Sequence, residues 1–266
     1  MKELNRMKTS PMEWTIDLNS DLGESFGNYV MGQDEAILHH VTSANIACGY
    51  HAGDHNVMRQ TVRMAAEQGV ALGAHPGLPD LLGFGRRYLA VDPEDVFNMT
   101  VYQIGALQCF AALEGKRLQH VKPHGALYNM AGKESAVAQA IAEAVAAVDK
   151  ELILFGLAGS QLVKAGEKAG LRVAREVFAD RTVQSDGSLT PRSRPEAHIE
   201  DPEQAVCRVV RMVKEGKVTA VDGTEVDIEA DTVCVHGDDP KALAFAKGLR
   251  KRLEEHGIGV CRIGER

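Results

Sequence analysis

Short apolar runs, each closed by a polar cluster, alternate along the chain with longer segments whose apolar positions recur every three or four residues. The short runs predict strands at Thr15–Asn19, Ser43–Ala47, Val70–Ala74, Leu118–Lys122, Leu152–Leu157, Leu171–Val177 and Thr232–Val235. Helical periodicity is clearest in Val137, Ile141, Ala144, Val145 and Val148, and again in Leu243, Ala246, Leu249 and Leu253. The second of these helices starts behind Asp239-Pro240, residues suited to the N-cap and first turn. Strict alternation of strand and helix predicts a parallel sheet covered by helices. About seven such units in ~250 residues favour an α/β fold closed as an irregular (β/α)7 TIM-like barrel over an open doubly wound sheet. No strand is followed by G-x-G-x-x-G or G-x-x-x-x-G-K-[ST], which removes the nucleotide-binding form of the open sheet.

The 266 residues show neither an internal repeat nor a Pro/Ser-rich linker, so 14–266 reads as a single barrel domain behind a 1–13 N-terminal extension. One polar segment, 179–201, exceeds the ~12–15 residues usual for a structureless loop in a compact domain. It carries Arg181, Arg192 and Arg194, and Asp186-Gly187 predicts a tight turn, so it reads as a lid with a small hairpin or as a solvated insertion. With 44% hydrophobic and 25% charged residues, disorder is excluded. The richest stretch, Ala136 to Val148, is broken by Gln139 and Glu143, and no membrane span is expected. The first residues lack the apolar core of a signal peptide, which points to a cytoplasmic protein. A net charge of −7 excludes a nucleic-acid footprint. Five cysteines without a C-x-x-C pattern exclude a disulfide scaffold and a thiolate zinc site. Cys109, Cys207, Cys234 and Cys261 are expected to pack as small hydrophobes, whereas Cys48 lies in a polar Gly-rich turn.

Ionisable residues gather where the predicted strands end, the side on which parallel α/β folds build their sites. Asp17, Asn19, Asp21 and Glu24 follow strand one; Asn45, Cys48, His51, Asp54 and His55 follow strand two. His75, Asp80 and Gly83-Phe-Gly85-Arg86-Arg87 follow strand three, and Lys122-Pro-His124 ends strand four. Glu176 and Asp180-Arg181 end strand six, and His236-Gly-Asp238 ends strand seven. Asp17, Asn19 and Asp21 alternate along one strand, so all three can face the barrel mouth, where crowding raises a carboxylate's proton affinity toward that of a general base. Loop capping by the same side chains remains open. His51 and His55, four apart, together with Asp21 suggest an Asp-His-His divalent-metal site if they share a helical turn. The Gly83–Arg87 loop offers N–H groups and forked donors to a carboxylate or phosphate. Lys122 at a rim can stabilise an oxyanion and His124 can move protons, although a structural hydrogen bond would equally occupy His124.

The blocks DLNSDLGESFG, SANIACGYHAGDHNVM, GAHPGLPDLLGFGRR, VKPHGALYN, REVFADRTVQSDGSLTPRSRPEAHIED and VHGDDPKALAFA resemble the LamB/YcsF family from about Trp14 to the C-terminus, with their order intact. The resemblance implies a barrel related to that of polysaccharide deacetylases. It further implies hydrolysis of the lactam of 5-oxo-L-proline to L-glutamate with ATP as co-substrate, by a 5-oxoprolinase in which this chain is the A component beside B and C subunits. The residues to watch are then Asp17, Asp21, His75, Lys122, His124 and Glu176 for catalysis, and Asn19, Asn45, Arg86 and Arg181 for substrate binding. In that scheme Asp21 or Asp17 deprotonates water, Lys122 and a histidine stabilise the oxyanion, and Arg86 or Arg181 holds the substrate carboxylate. Two other readings compete: a metal-dependent, deacetylase-like hydrolase acting alone, and a non-catalytic carrier of a lactam or sugar. A homo-oligomer is compatible with each.

Overall fold

The computed structural model describes residues 13–199, 201–235 and 240–265. The expected Asp239 cap and the His236-Gly-Asp238 rim therefore lie outside the described residues. Ten strands are described: β1 (Trp14–Leu22), β2 (Ser43–Ala47), β3 (Ala71–His75), β4 (His120–Val121), β5 (Ile153–Leu157), β6 (Arg172–Phe178), β7 (Lys217–Thr219), β8 (Glu225–Asp227), β9 (Thr232–Cys234) and β10 (Ile258–Val260). The helices are α1 (Asp34–Leu38), α2 (His55–Glu67), α3 (Pro93–Leu113), α4 (Gly125–Lys133), α5 (Ser135–Val148), α6 (Gln161–Lys168), α7 (Pro202–Glu215) and α8 (Pro240–Glu255). Strands β1-β2-β3-β4-β5-β6-β9 pair in parallel, and β9 pairs back to β1 through Asp17 and Thr232, which closes a seven-stranded barrel. The expected TIM-like barrel is the fold that forms.

All seven expected barrel strands are present, because each carries a run of apolar residues long enough to show its period. The antiparallel β7–β8 ribbon and β10, which pairs with Trp14–Ile16, are not legible beforehand. Each is three residues long, and no run of alternating apolar positions marks it in the sequence. Helix starts follow local chemistry: Asp54 accepts from the Asn56 and Val57 N–H groups at α2, and Asp201 from Glu203 N–H at α7 with Pro202 behind it. Helix α5 buries Val137, Ile141, Ala144 and Val145, while α8 buries Ala246, Leu249 and Leu253, as the three-and-four spacing predicts.

Helix α3, the longest among the described residues, adds a feature that the sequence pattern does not single out. An 18-residue window of its 21 residues reaches a mean hydropathy of 1.3, long and apolar enough by those measures to cross a membrane. Asn98, Thr100, Gln103 and Gln108 disguise this as an interrupted run in the sequence. In the fold it packs Val96, Ile104 and Leu107 inward, and its buried Gln103 amide bonds to both the N–H and the carbonyl of Gly77. It is a barrel helix.

The cysteines also depart from expectation. Cys109 and Cys207 are exposed, whereas Cys48 is buried and its thiol donates to Ile46 O. Burial pushes the Cys48 thiol up to about 12.

Inside the barrel the two halves differ in kind. Ile153, Phe155 and Ala174 from β5 and β6 fill one side with hydrocarbon. Asp17, Asn19, Ser43, Asn45, His120 and Thr232 stack as a buried polar column on the other. Asp17 sits low in that column: its carboxylate accepts from the Thr42, Ser43 and Thr232 hydroxyls. Above it, the Asn45 amide donates to Asn19 Oδ1 and to Asp21 Oδ1, each at 2.8 Å, and His120 Nε2 donates to Asn45 Oδ1. The His120 ring reaches across because Gly73 stands between: a Cβ there would lie 2.0 Å from His120 Nε2.

Residues 179–199 form an ordered excursion beyond β6. Bridges pair Arg181 with His198 and Val183 with Leu189, and Gly187 N–H returns to Gln184 O at the expected tight turn.

Gly73→Ala is expected to cost about 1–3 kcal/mol, the usual penalty for overpacking a filled interior. Urea unfolding measures it, and an unchanged midpoint would contradict the close approach. Burial raises the Asp17 carboxyl from 3.8 to about 6 against the help of its three hydroxyl donors. The folded state therefore holds this proton to higher pH than the unfolded chain does. The stability it contributes is full below 3.8 and is lost as pH rises through about 6. Relative to Asp17→Asn, the wild type should lose ~3 kcal/mol between about pH 3.5 and 7 in denaturant titrations. A pH-independent difference would refute this.

Candidate active site

The C-terminal mouth of the barrel opens into a cavity of about 260 Å³ lined by Asp21, His75, Lys122, His124, Tyr128 and Phe178, with Arg86, Arg181 and Arg192 also on its surface. At its floor stands one buried ammonium. Lys122 Nζ lies 2.8 Å from Glu176 Oε1, 3.0 Å from Asp21 Oδ1, 3.1 Å from Asn19 Oδ1 and 3.1 Å from Cys234 Sγ. Lys122 is 3% exposed and Glu176 0%. Burial alone would strip the lysine of its charge, but Asp21, Cys234 and Glu176 outweigh it and hold the ammonium well above its ordinary range. Glu176 is fixed from its other oxygen by the Tyr128 hydroxyl, which donates at 2.6 Å. Burial, and then Glu176, raises the Tyr128 phenol well above its usual range, so it stays a donor.

A second group of side chains closes the neighbouring wall. The His51 and His124 rings stack with centroids 3.6 Å apart and planes 2° apart, and the His75 ring stands edge-on to both. Glu24 Oε1 lies 3.2 Å from His51 Nε2 and 3.5 Å from His124 Nδ1. Burial lowers His51 well below the ordinary imidazole range and brings His124 to about 3, with neighbouring histidines adding to both shifts. Both rings are therefore neutral near pH 7. The wall depends on an unusual backbone: Phe84 adopts φ +54°, and its carbonyl accepts from His124 Nε2 at 2.8 Å. Gly85 follows at φ +61°, where a Cβ would lie 2.6 Å from His51 Cβ, so glycine alone fits.

Of the residues expected from sequence, Asp21, His75, Lys122, His124, Arg86 and Arg181 converge on this cavity. Glu176, Asn19 and Asn45 lie beneath it, holding Lys122 and Asp21 in place rather than reaching the cavity surface. Asp17 is placed elsewhere: it lines a separate cavity of about 240 Å³ with Arg172, Arg175 and Asp231, so its place as a base at the mouth is corrected. The Asp21–His51–His55 grouping is corrected as well. Asp54 caps α2 and His55 is its first residue, so His51 precedes the helix and the two histidines do not share a turn. His51 is buried while His55 is exposed.

The two guanidiniums of the Gly83–Arg87 loop divide their work. Arg87 grips Asp80 through Nε at 2.9 Å and holds that carboxyl below its ordinary range, locking the loop. Arg86 spreads over the Phe84 ring at 4.9 Å and faces the cavity. Arg181 is buried and fixed by Thr190 O and Ala197 O, and burial with Arg192 nearby lowers it to about 10. Leu189 and Arg192, from the long polar segment, line the cavity too, which is where a covering element belongs.

Sequence reasoning overlooked Tyr128, Cys234 and His120, and gave Glu24 no role. Tyr128 follows His124 by four residues, a helical offset that could have flagged it once α4 was recognised. Cys234 reads as one more apolar residue in a strand, yet its sulfur touches the ammonium. Nothing local distinguishes it.

The LamB/YcsF family model matches residues 16–266. The 5-oxoprolinase A subunit of Halalkalibacterium halodurans is 60% identical over 250 residues, covering 94% of this chain and 97% of that relative. The corresponding 5-oxoprolinase chain of Bacillus subtilis is 62% identical over 250 residues with the same coverage, 94% and 97%. Among solved structures, the lactam utilization protein from Thermus thermophilus superposes with a TM-score of 0.88 at 49% identity, covering 93% of this chain and 99% of that one.

Replacing Lys122 by Met leaves the Asp21 and Glu176 carboxylates facing each other without their cation. A loss of about 3–5 kcal/mol in unfolding free energy is expected, as when one partner of a buried ion pair is removed. The double change Lys122→Met with Glu176→Gln should recover part of it. Equal stability of wild type and Lys122→Met would show that the ammonium is not structurally required.

Proposed function

Because the chain belongs to the LamB/YcsF family, we propose that it opens the lactam ring of 5-oxo-L-proline to L-glutamate as the A component of an ATP-dependent 5-oxoprolinase working with B and C subunits. One observation carries this reading: a carboxylate and a buried ammonium, Asp21 and Lys122, sit 3.0 Å apart on the surface of a small cavity that three arginines also line. A volume of about 260 Å³ suits a compact ligand, being just below the usual range of small-molecule pockets. The guanidiniums match the one charged group of 5-oxoproline, its carboxylate, with Arg86 and Arg192 exposed and Arg181 buried.

With the carboxylate held there, the ring amide is directed toward Lys122 and Asp21. Lys122 supports negative charge developing on the former amide oxygen, and Asp21 takes a proton from the attacking water. His75, 3.3 Å from Asp21 Oδ2, orients that carboxylate. Glu176 and Tyr128 act as positioning residues through Lys122. The amide of a relaxed five-membered ring is unactivated, so its oxygen must first become a better electrophile's substituent. Phosphorylation by ATP accomplishes that, releasing ADP: water adds to the imidate-like carbon, the ring C–N bond breaks with a proton passing to nitrogen, and hydrolysis of the acyl phosphate left behind gives glutamate and inorganic phosphate. The sequence carries no Gly-rich phosphate loop, which supports assigning nucleotide activation to the partner subunits. A cytoplasmic site, where ATP is at hand, fits the same scheme.

Reconstitution tests it. The purified chain should release glutamate only when mixed with B and C subunits and ATP, with one nucleotide consumed per ring opened. Asp21→Asn in that mixture should lower kcat by ~10²–10⁴, the usual share of a general base. Arg86→Ala should raise KM with kcat nearly unchanged, as expected for an interaction equal in ground and transition states. Full activity of Asp21→Asn, or glutamate formation without ATP, would overturn the scheme.

A further inference from the structure

Four side chains on the cavity wall each offer one ligand atom to a common region. Glu24, His51, His75 and His124 bring these atoms within 4.8 Å of one another. The neighbouring separations are 3.0 Å between His75 Nε2 and His124 Nδ1, 3.2 Å between His51 Nε2 and Glu24 Oε1, and 3.5 Å between His124 Nδ1 and Glu24 Oε1. A tetrahedral ion with bonds of about 2.0–2.1 Å has edges of roughly 3.3 Å. The spacing fits.

The proton inventory points the same way. His75 Nδ1 lies 2.6 Å from Lys122 O, and His124 Nε2 lies 2.8 Å from Phe84 O. A carbonyl only accepts, so both of those nitrogens carry protons. The other two ring nitrogens, His75 Nε2 and His124 Nδ1, face each other at 3.0 Å. Asp21 Oδ2 is 3.3 Å from the first and Glu24 Oε1 is 3.5 Å from the second. Two imidazole nitrogens and two carboxylate oxygens therefore converge on one region, a donor set suited to a cation. A backbone carbonyl on the far nitrogen of each ring is also the usual outer partner of a metal-bound imidazole.

We propose that Glu24, His51, His75 and His124 bind one divalent cation of the zinc class, for which mixed imidazole and carboxylate ligands are suited. This set replaces His55 with residues from three other strand ends and leaves Asp21 beside the ion. Because Glu24, His75 and His124 line the same cavity as Lys122, an ion held there would polarise an oxygen of whatever substrate enters. The proposal stands whether or not that substrate is 5-oxoproline.

Metal binding by the full-length chain, read without any activity assay, decides it. After chelator treatment, Co²⁺ titration should give a saturable tetrahedral visible spectrum at one equivalent, displaced by Zn²⁺. His124→Gln and Glu24→Gln should weaken Co²⁺ binding by at least ~10–100-fold, the loss seen even for outer partners. His55→Ala should bind like wild type. Circular dichroism and thermal melting identify any variant that fails to fold, and the two substitutions at separate loops guard against that outcome at one of them. Three results would overturn the proposal: no saturable binding by the folded wild type, binding untouched in both ligand variants, or binding lost on His55→Ala. So would nitrogen NMR showing a proton shared between His75 and His124 in a chain that takes up no metal. Failure here would leave ATP-dependent glutamate formation untouched, so the two readings fall separately.

Discussion

A buried ammonium must be paired, and the mouth of this barrel is organised around that demand. Lys122 is supplied by the end of β4, and its partners come from β1, β6 and β9. Strands far apart in sequence are therefore bound to one register, since a slip of one residue on β1 would turn Asp21 and Asn19 out of the barrel. Such a cluster adds little net stability, because desolvating the ions offsets most of their attraction. What it provides is a fixed arrangement of charge in a region screened from water, where an oriented ammonium acts on a substrate oxygen far more strongly than it would in solution.

The polar column beneath extends the same logic downward. Asn45 links Asn19 to Asp21, His120 anchors Asn45, and the Asp17 carboxylate ends the column among three hydroxyls. These side chains bond from one layer to the next, so the orientation of Asp21 is inherited from groups that never meet the cavity. The hydrocarbon packing of Ile153, Phe155 and Ala174 across the barrel gives this column a rigid wall to lean on, with the Phe155 ring stacked on His120 at 4.2 Å. The histidine wall is built differently. Its geometry depends on loops, and on a left-handed Phe84 held between Gly83 and Gly85, so its placement belongs to the turn after β3 as much as to the barrel.

The two systems meet at Asp21, which touches Lys122 on one side and His75 on the other. This one carboxylate couples the charge-balanced floor to the imidazole wall. It also explains why Glu24, only three residues further along, serves the wall and not the floor: β1 ends at Leu22, and the chain has turned away by then.

Much of this was determined by the sequence alone. The apolar periods of the barrel strands, the spacing of α5 and α8, and the concentration of ionisable residues after strand ends all follow from local rules, because strand and helix periods are written in neighbouring residues. The order of motif blocks was enough to indicate the family. Only the tertiary structure decided which of those residues share a site. Asp17 and Asp21 occupy one face of one strand, yet closure of the barrel assigns the first to its lower layers and the second to the cavity. His51 and His55 look paired by spacing, but Asp54 starts the helix between them, and the partners His51 acquires instead, His75 and His124, come from β3 and from the start of α4. Cys234 becomes a neighbour of an ammonium only because β9 closes the barrel against β1. Pairings of this kind span from 24 residues, His51 to His75, to 112, Lys122 to Cys234, and no window of local sequence contains the closure that makes them.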